Sequence, residues 1–180
     1  MGVLELTALP SIDEERWVPL VQETDVLLAS GGDALYLCHW MRQSGLVDLL
    51  PSLDETVWVG LSAGSMVMTP RIGQDFVGWK PPTGGDETLG VVDFSIFPHV
   101  DNEDLPWNTM VNAERWAGGL SCPAYAIDDE TAIKVVDGTV DLWFRAPPAD
   151  GGRDAGAGGR PARWGGRSRR PDRGSCPAPP

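Results

Sequence analysis

The sequence contains few cations and few histidines. Its first 145 residues have 7 Lys or Arg against 23 Asp or Glu, a net charge of −16, and the whole chain has only 2 histidines. Because nucleic acids and anionic membrane surfaces repel a strongly acidic protein, we expect neither as a partner. Two histidines also leave only two candidates for a histidine general base.

The chain also lacks the patterns of metal-binding, secreted and membrane-spanning proteins. Its cysteines, Cys38, Cys122 and Cys176, do not have metal-ligand spacing, and an odd count is typical of reduced thiols rather than of a disulfide framework. No signal segment opens the chain, and no apolar run reaches the roughly 20 residues of a membrane span. We therefore expect a cytoplasmic protein without a metal site or a membrane span.

The last part of the chain lacks the residues that build a core. Residues 146–180 contain no Val, Ile, Leu, Met or Phe, while Gly, Pro, Arg and Ala fill 28 of the 35 positions. Such a segment cannot bury enough apolar surface to offset the entropy lost on ordering. We expect one folded domain over residues 1–145 and a disordered tail over residues 146–180.

Strand-like and helix-like segments alternate within residues 1–145. Ser11 and Glu14 resemble a capping box at the start of the first helix, and Asp137-Gly138 indicates a two-residue hairpin near the end. Residues 73–90 are rich in Gly, Pro, Asp and Thr and predict a long loop, with room for a hairpin. Strands are predicted at 3–7, 25–29 (buried), 56–59, 94–97 and 125–127, and helices at 11–22, 34–41, 63–68 and 110–117. This alternation predicts an α/β fold with a mostly parallel, doubly wound sheet, whose chemistry lies beyond the carboxyl ends of the strands.

The segment over residues 57–65 carries the clearest chemical signal. An apolar strand leads into Gly60-Leu61-Ser62-Ala63-Gly64, a Gly-x-Ser-x-Gly pattern, and a helix follows from Ala63. In this context the serine lies on a strained strand-to-helix turn with its hydroxyl exposed, and the next N–H lies close to a developing oxyanion. The pattern alone is not specific, because small residues also form ordinary strand–helix turns.

A nucleophilic serine needs a base and an acid that orients the base. His39 lies inside a predicted helix, whereas His99 follows a predicted strand, so His99 is the better candidate for the base. Two acids remain open: Asp75, in the loop after the serine, and Asp129, at the end of the strand that follows His99. Arg71 and Lys80 are among the few cations and are candidates for binding a substrate carboxylate.

With these motifs in this order, the sequence resembles those of the aspartyl dipeptidase (peptidase E) family of serine peptidases. Its fold is similar to that of the class I glutamine amidotransferases, a flavodoxin-like arrangement. The resemblance covers about residues 20–136 and rests on Gly31-Gly32-Asp33, Gly60-Leu61-Ser62-Ala63-Gly64-Ser65, Gln74-Asp75, Phe97-Pro98-His99 and Asp128-Asp129-Glu130.

The resemblance implies a role for each matching residue. Ser62 corresponds to the nucleophile and His99 to the base, and both Asp75 and Asp129 correspond to assigned acids. The N–H groups of Gly32 and Ala63 would bind the oxyanion. The implied reaction is hydrolysis of small peptides through an acyl-enzyme, without a cofactor. Peptidase E prefers dipeptides with an N-terminal aspartate, and we select Arg71 as the residue that binds its carboxylate.

The sequence departs from the family at both ends. Family domains begin with one further strand–helix unit, and they continue with apolar strand residues where this chain enters its Gly- and Arg-rich tail. We therefore expect an incomplete or altered family member that lacks its first β–α unit. Two alternatives stay open: a catalytically silent binding domain, and another serine hydrolase such as an esterase. The sequence does not predict an oligomeric state.

Overall fold

The computed structural model describes residues 2–144 and the backbone of residues 163 and 164. These residues form a mixed α/β fold in two compact units, with the boundary between Val91 and Val92. The domain predicted over residues 1–145 spans both units. The tail predicted over residues 146–180 lies outside the described residues, apart from the backbone of residues 163 and 164. None of the described helices combines the length and the hydropathy that a membrane-spanning helix needs.

The first unit consists of four α-helices, two strands and three short 3-10 helices. Strands β1 and β2 pair in parallel, from Val26 opposite Val57 to Ala29 opposite Gly60, which confirms the predicted parallel pairing for these strands. The α-helices and strands are α1 (Glu14–Gln22), β1 (Val26–Ala29), α2 (Ala34–Gln43), α3 (Leu46–Leu49), β2 (Val57–Gly60) and α4 (Ala63–Met66). The 3-10 helices are Leu9–Ser11, Leu50–Ser52 and Gln74–Phe76.

The start of the first unit differs from the prediction. Residues 3–7 are not a strand, because the Glu5 carboxylate accepts bonds from the N–H and the hydroxyl of Thr7 and forms a local turn. The predicted capping box is also wrong. Ser11 ends a 3-10 helix, and α1 begins after Asp13, whose side chain makes no capping hydrogen bond.

The two faces of the β1–β2 pair have different surroundings. Leu27 and Trp58 pack against a core that contains Trp17, Val21, Met41 and Val67 among other buried residues. On the opposite face the exposed side chains are Val26, Leu28, Val57 and Val59, of which Leu28 is 72% exposed. The prediction of a buried strand at 25–29 is therefore wrong for every second residue, because successive side chains point to opposite faces and only one face is covered.

The second unit contains one helix and five described strands. Strands β3 (Ser95–Phe97) and β4 (Ala124–Ala126) pair in parallel, again as predicted, and helix α5 (Met110–Gly118) connects them. The backbone of β7 (Arg163–Trp164) pairs antiparallel with β4. Strands β5 (Thr131–Val136) and β6 (Thr139–Phe144) form an antiparallel hairpin.

The hairpin turn confirms a local prediction. Asp137 and Gly138 have φ angles of 50° and 73°, the positive values that a two-residue turn of type I′ requires. The predicted loop over residues 73–90 forms one antiparallel β-bridge, between Glu87 and Arg71, which precedes the loop by two residues. The loop also contains the 3-10 helix Gln74–Phe76.

Candidate active site

Ser62 occupies the sharp turn between β2 and α4. Its φ and ψ angles are 54° and −117°, a combination that non-glycine residues adopt rarely and at an energetic cost. As the residue before α4 it could cap the helix, but its side chain makes no capping hydrogen bond. The turn thus holds a half-buried serine hydroxyl that the helix does not use, as a nucleophile elbow requires.

Two glycines allow the helix to approach the strands. A Cβ at Gly60 would collide with the backbone of Gly64, and a Cβ at Gly64 would collide with the backbone of Ala29. The Nε1–H of Trp58 donates to the Gly64 carbonyl at 2.9 Å and fixes this contact. Any larger residue at either glycine would push α4 away from the strands and move Ser62.

The loop after β1 lies beside Ser62. A Cβ at Gly31 would be 3.5 Å from the Cβ and 3.8 Å from the Oγ of Ser62. Gly32 has a φ of 132°, which favours glycine. Within the described part of the chain, neither the Gly32 N–H nor the Ala63 N–H donates to a protein acceptor. These are the two N–H groups that the sequence predicts as oxyanion donors.

Asp33 stabilises the same loop. Its Oδ1 accepts the N–H groups of Leu35 and Tyr36, both at 2.9 Å, and so caps α2. Its Oδ2 accepts the N–H of Trp79 at 2.6 Å, which ties the long loop to the start of the helix. One carboxylate therefore orders two segments that flank the glycine loop.

His99 and Asp129 come together in the second unit. His99 lies two residues after β3 and Asp129 three residues after β4, and the parallel ladder continues past both strands through Ile127 N–H to Phe97 O and Val100 N–H to Ile127 O, each 3.0 Å. The carboxyl ends of adjacent parallel strands meet at one edge of a sheet. There the Nδ1 of His99 and the Oδ1 of Asp129 form a hydrogen bond.

Two hydrogen bonds hold Asp129 in its ionised form. Hydrogen bonding to His99, and then to the Nδ2 of Asn102 at 2.6 Å, lowers the pKa of the Asp129 carboxyl below its ordinary value of 3.8. An ionised Asp129 can only accept in this bond, so Nδ1–H of His99 donates to it and Nε2 is the nitrogen that can act as a base.

The neighbours of Asp129 have a different role. Asp128 accepts hydrogen bonds from the Glu130 N–H at 3.1 Å and the Thr131 hydroxyl at 2.6 Å, which closes the turn before β5.

Asn102, which also contacts Asp129, was not predicted from the sequence, because it lies in a polar run, residues 101–104, with no motif of its own. Its role depends on a contact 27 residues away in the chain.

The structure places the other predicted residues as follows. Asp75 is exposed on the 3-10 helix Gln74–Phe76. The guanidinium of Arg71 lies 3.3 Å from the buried Asp86 and 3.0 Å from Glu87. Asp86 also accepts the Gly73 N–H at 2.9 Å, so the Arg71 cluster joins the two ends of the long loop.

Comparisons with known proteins identify the family and support the fold. Residues 4–143 match the sequence model of peptidase family S51. The chain belongs to that family. The predicted relationship to peptidase E is thereby confirmed. A solved structure from Listeria monocytogenes EGD-e, described as a candidate peptidase E, shares the fold with a TM-score of 0.60 and 18% sequence identity. The match covers 77% of this S51 chain and 68% of the Listeria chain. Among curated proteins no match is found.

Proposed function

We propose that this S51 family member is a serine peptidase of the dipeptidase type. Ser62 is the nucleophile, His99 the base and Asp129 the acid. The observation that carries the proposal is the hydrogen bond between His99 and Asp129 beyond the ends of two parallel strands. The strained Ser62 turn and membership in a peptidase family support it.

The mechanism follows from the chemistry of these groups. His99 Nε2 takes the hydroxyl proton as the Ser62 Oγ attacks the peptide carbonyl, and the oxyanion accepts hydrogen bonds from the N–H groups of Gly32 and Ala63. The C–N bond then breaks, and His99 passes its proton to the leaving amine. His99 then takes a proton from a water molecule, which attacks the acyl carbonyl. The ester C–O bond breaks, the carboxylic acid product leaves, and His99 returns the proton to the Ser62 Oγ.

We propose Asp129 rather than Asp75 as the acid. Asp129 contacts the ring nitrogen of His99 directly, and its ionised form is favoured. Asp75 corresponds to an acid of the family by sequence, but no hydrogen bond to a histidine supports it. The wider proposal is that residues 1–145 form a doubly wound domain similar to the class I glutamine amidotransferases. We also propose that this domain acts in the cytoplasm on small peptides and needs no cofactor.

Arg71 stays the proposed ligand of an N-terminal aspartate. Its pairs with Asp86 and Glu87 offset its charge, however, and a substrate carboxylate would have to share the guanidinium with them. This observation favours a second candidate function, a serine hydrolase such as an esterase that does not select acidic substrates. Turnover of Asp-X dipeptides but not of simple esters would support the dipeptidase, and the reverse would support the second candidate.

A fluorophosphonate probe tests the nucleophile directly. The full chain should be labelled, and the label should disappear in Ser62→Ala. Ser52→Ala is the matched control, because Ser52 lies on an exposed 3-10 helix and its hydroxyl donates only to the Leu49 carbonyl. If folded wild-type protein takes up no label, the proposal is wrong and a catalytically silent binding domain becomes the better explanation.

A further inference from the structure

Hydrogen bonds of Asn102 connect His99, Asp129 and the following loop. Its side-chain Nδ2 donates to Asp129 Oδ2 at 2.6 Å, and its side-chain Oδ1 accepts the Asp104 N–H at 2.8 Å. Its backbone N–H donates to the His99 carbonyl at 3.3 Å. Asn102 is therefore tied both to the segment that carries His99 and to the carboxylate that His99 contacts.

The amide of Asn102 has only one orientation that satisfies these partners. The oxygen must face the Asp104 N–H, because only an acceptor can bind a donor, and the NH₂ group then faces the carboxylate. A flipped amide would place its oxygen against Asp129 and its NH₂ group against the N–H of Asp104. The network thus assigns Asn102 as the donor.

The loop around Asn102 is itself held in place. The Asp101 N–H donates to the Asn108 carbonyl at 2.6 Å, and the side chain of Asn108, which is 8% exposed, donates to the Pro98 carbonyl at 2.9 Å. Residues 98–108 therefore form a closed loop whose two ends are connected. This loop holds Asn102 in position to donate to Asp129.

We infer that Asn102 is a positioning residue for the proposed base: it fixes the Asp129 carboxylate and, through it, the ring of His99. This inference rests on the proposed function. With His99 on Oδ1 and Asn102 on Oδ2, both carboxylate oxygens are engaged and the carboxylate cannot rotate without breaking a bond. Because the Asp129 side chain is 49% exposed, burial does not hold it, and Asn102 supplies that constraint.

Two substitutions separate positioning from loop stability. Asn102→Ala removes both the donor to Asp129 and the acceptor for Asp104, whereas Asn102→Asp keeps the acceptor and replaces the donor with a negative charge. We expect kcat to fall about 10-fold in Asn102→Ala and further in Asn102→Asp, with KM changed less than about 2-fold. A wild-type kcat in folded Asn102→Asp would overturn the inference. It would show that kcat depends on the hydrogen bond from the Asp104 N–H and not on the donor to Asp129.

A second readout does not depend on activity. In a carbon-13 NMR titration of the full chain, the Asp129 carboxyl should titrate at higher pH in Asn102→Ala than in wild type, and higher still in Asn102→Asp. The other charged groups on these segments are all acidic and are present in every variant: Asp101, Glu103, Asp104, Asp128 and Glu130. An unchanged titration would overturn the inference even in an active enzyme, whereas a shifted titration without peptidase activity would contradict only the proposed function.

Discussion

At the scale of single residues, the candidate site depends on hydrogen bonds rather than on burial. The Asp129 side chain is 49% exposed and His99 is 22% exposed, yet each has a defined partner. Ser62 likewise depends on backbone geometry: it has a positive φ in a turn where Gly60 and Gly64 allow α4 to lie close to the strands. Substitutions at these positions should therefore change activity more than stability, except where a glycine contact is lost.

The first prediction separates the two candidate acids. Asp129→Asn should lower kcat by about 10³-fold or more, because an amide cannot stabilise the histidine cation and can select the wrong ring tautomer. Asp75→Asn is the matched control and should leave kcat within about 2-fold. Steady-state kinetics on the best wild-type substrate measures both. A large loss in Asp75→Asn with an active Asp129→Asn would assign the acid to Asp75.

The second prediction concerns pH. Folding lowers the pKa of the Asp129 carboxyl below its ordinary value of 3.8. The ionised carboxyl therefore stabilises the folded protein at pH values above 3.8. This contribution is lost as the pH falls through the lower pKa that the carboxyl has in the folded protein. Because the group is half exposed, we expect only about 0.2–1 kcal/mol at pH 7. Urea unfolding of wild type and Asp129→Asn should show that difference at pH 7 and a smaller one at pH 3. A difference that grows towards acid would contradict this assignment.

The third prediction tests the close packing behind Ser62. Gly64→Ala places a methyl group against the backbone of Ala29 and should lower the free energy of unfolding by about 1–3 kcal/mol. Gly118→Ala is the control, because a Cβ there has no neighbour within 4 Å and alanine is favoured in a helix, so this change should not lower the free energy of unfolding. If wild type and Gly64→Ala were equally stable in urea, α4 would be able to move away from β1 without a cost in the free energy of unfolding.

At the scale of elements, local sequence signals predicted some features and missed others. The predicted helices over 34–41 and 110–117 and the hairpin at Asp137-Gly138 are present, because helical spacing and turn residues act within a few positions. The predicted strand over 3–7 is wrong because the Thr7 hydroxyl and the Glu5 carboxylate form a competing turn. The predicted capping box is wrong because Ser11 is the last residue of a 3-10 helix. The prediction that β1 is buried was also wrong, because an apolar run does not show how many faces of the strand are covered by other residues.

The fourth prediction uses two aspartates that precede helices. Asp33→Ala should lower the free energy of unfolding by about 1 kcal/mol for the lost cap and by a further 1–3 kcal/mol for the unpaired Trp79 N–H. Asp13→Ala is the control, because Asp13 makes no capping bond and should change stability by less than about 0.5 kcal/mol. Chemical denaturation measures both variants. A similar loss in Asp13→Ala would show that helix-end charge, not hydrogen bonding, is responsible.

At the scale of the whole molecule, charge is the dominant property. The chain carries a formal net charge of −12 at pH 7, so its folded form is subject to self-repulsion. The fifth prediction is that raising NaCl from 10 to 200 mM increases Tm by about 2–4 °C, because screening shortens the range of that repulsion. KCl should have the same effect. A fall in Tm with salt would show that attractive ion pairs, such as those of Arg71, outweigh the repulsion.

Short patterns in the sequence were enough to predict the features that form between near neighbours in the chain. The serine turn, the β–α alternation and the hairpin follow from such patterns, and the alternation in turn predicts the parallel pairs. Together the patterns indicated the S51 relationship. Only the tertiary structure brought Asp129 to His99, added Asn102 to that pair and placed Arg71 between two carboxylates. Such contacts join residues far apart in the chain, and the abundance of acidic side chains gave no local signal for choosing among them.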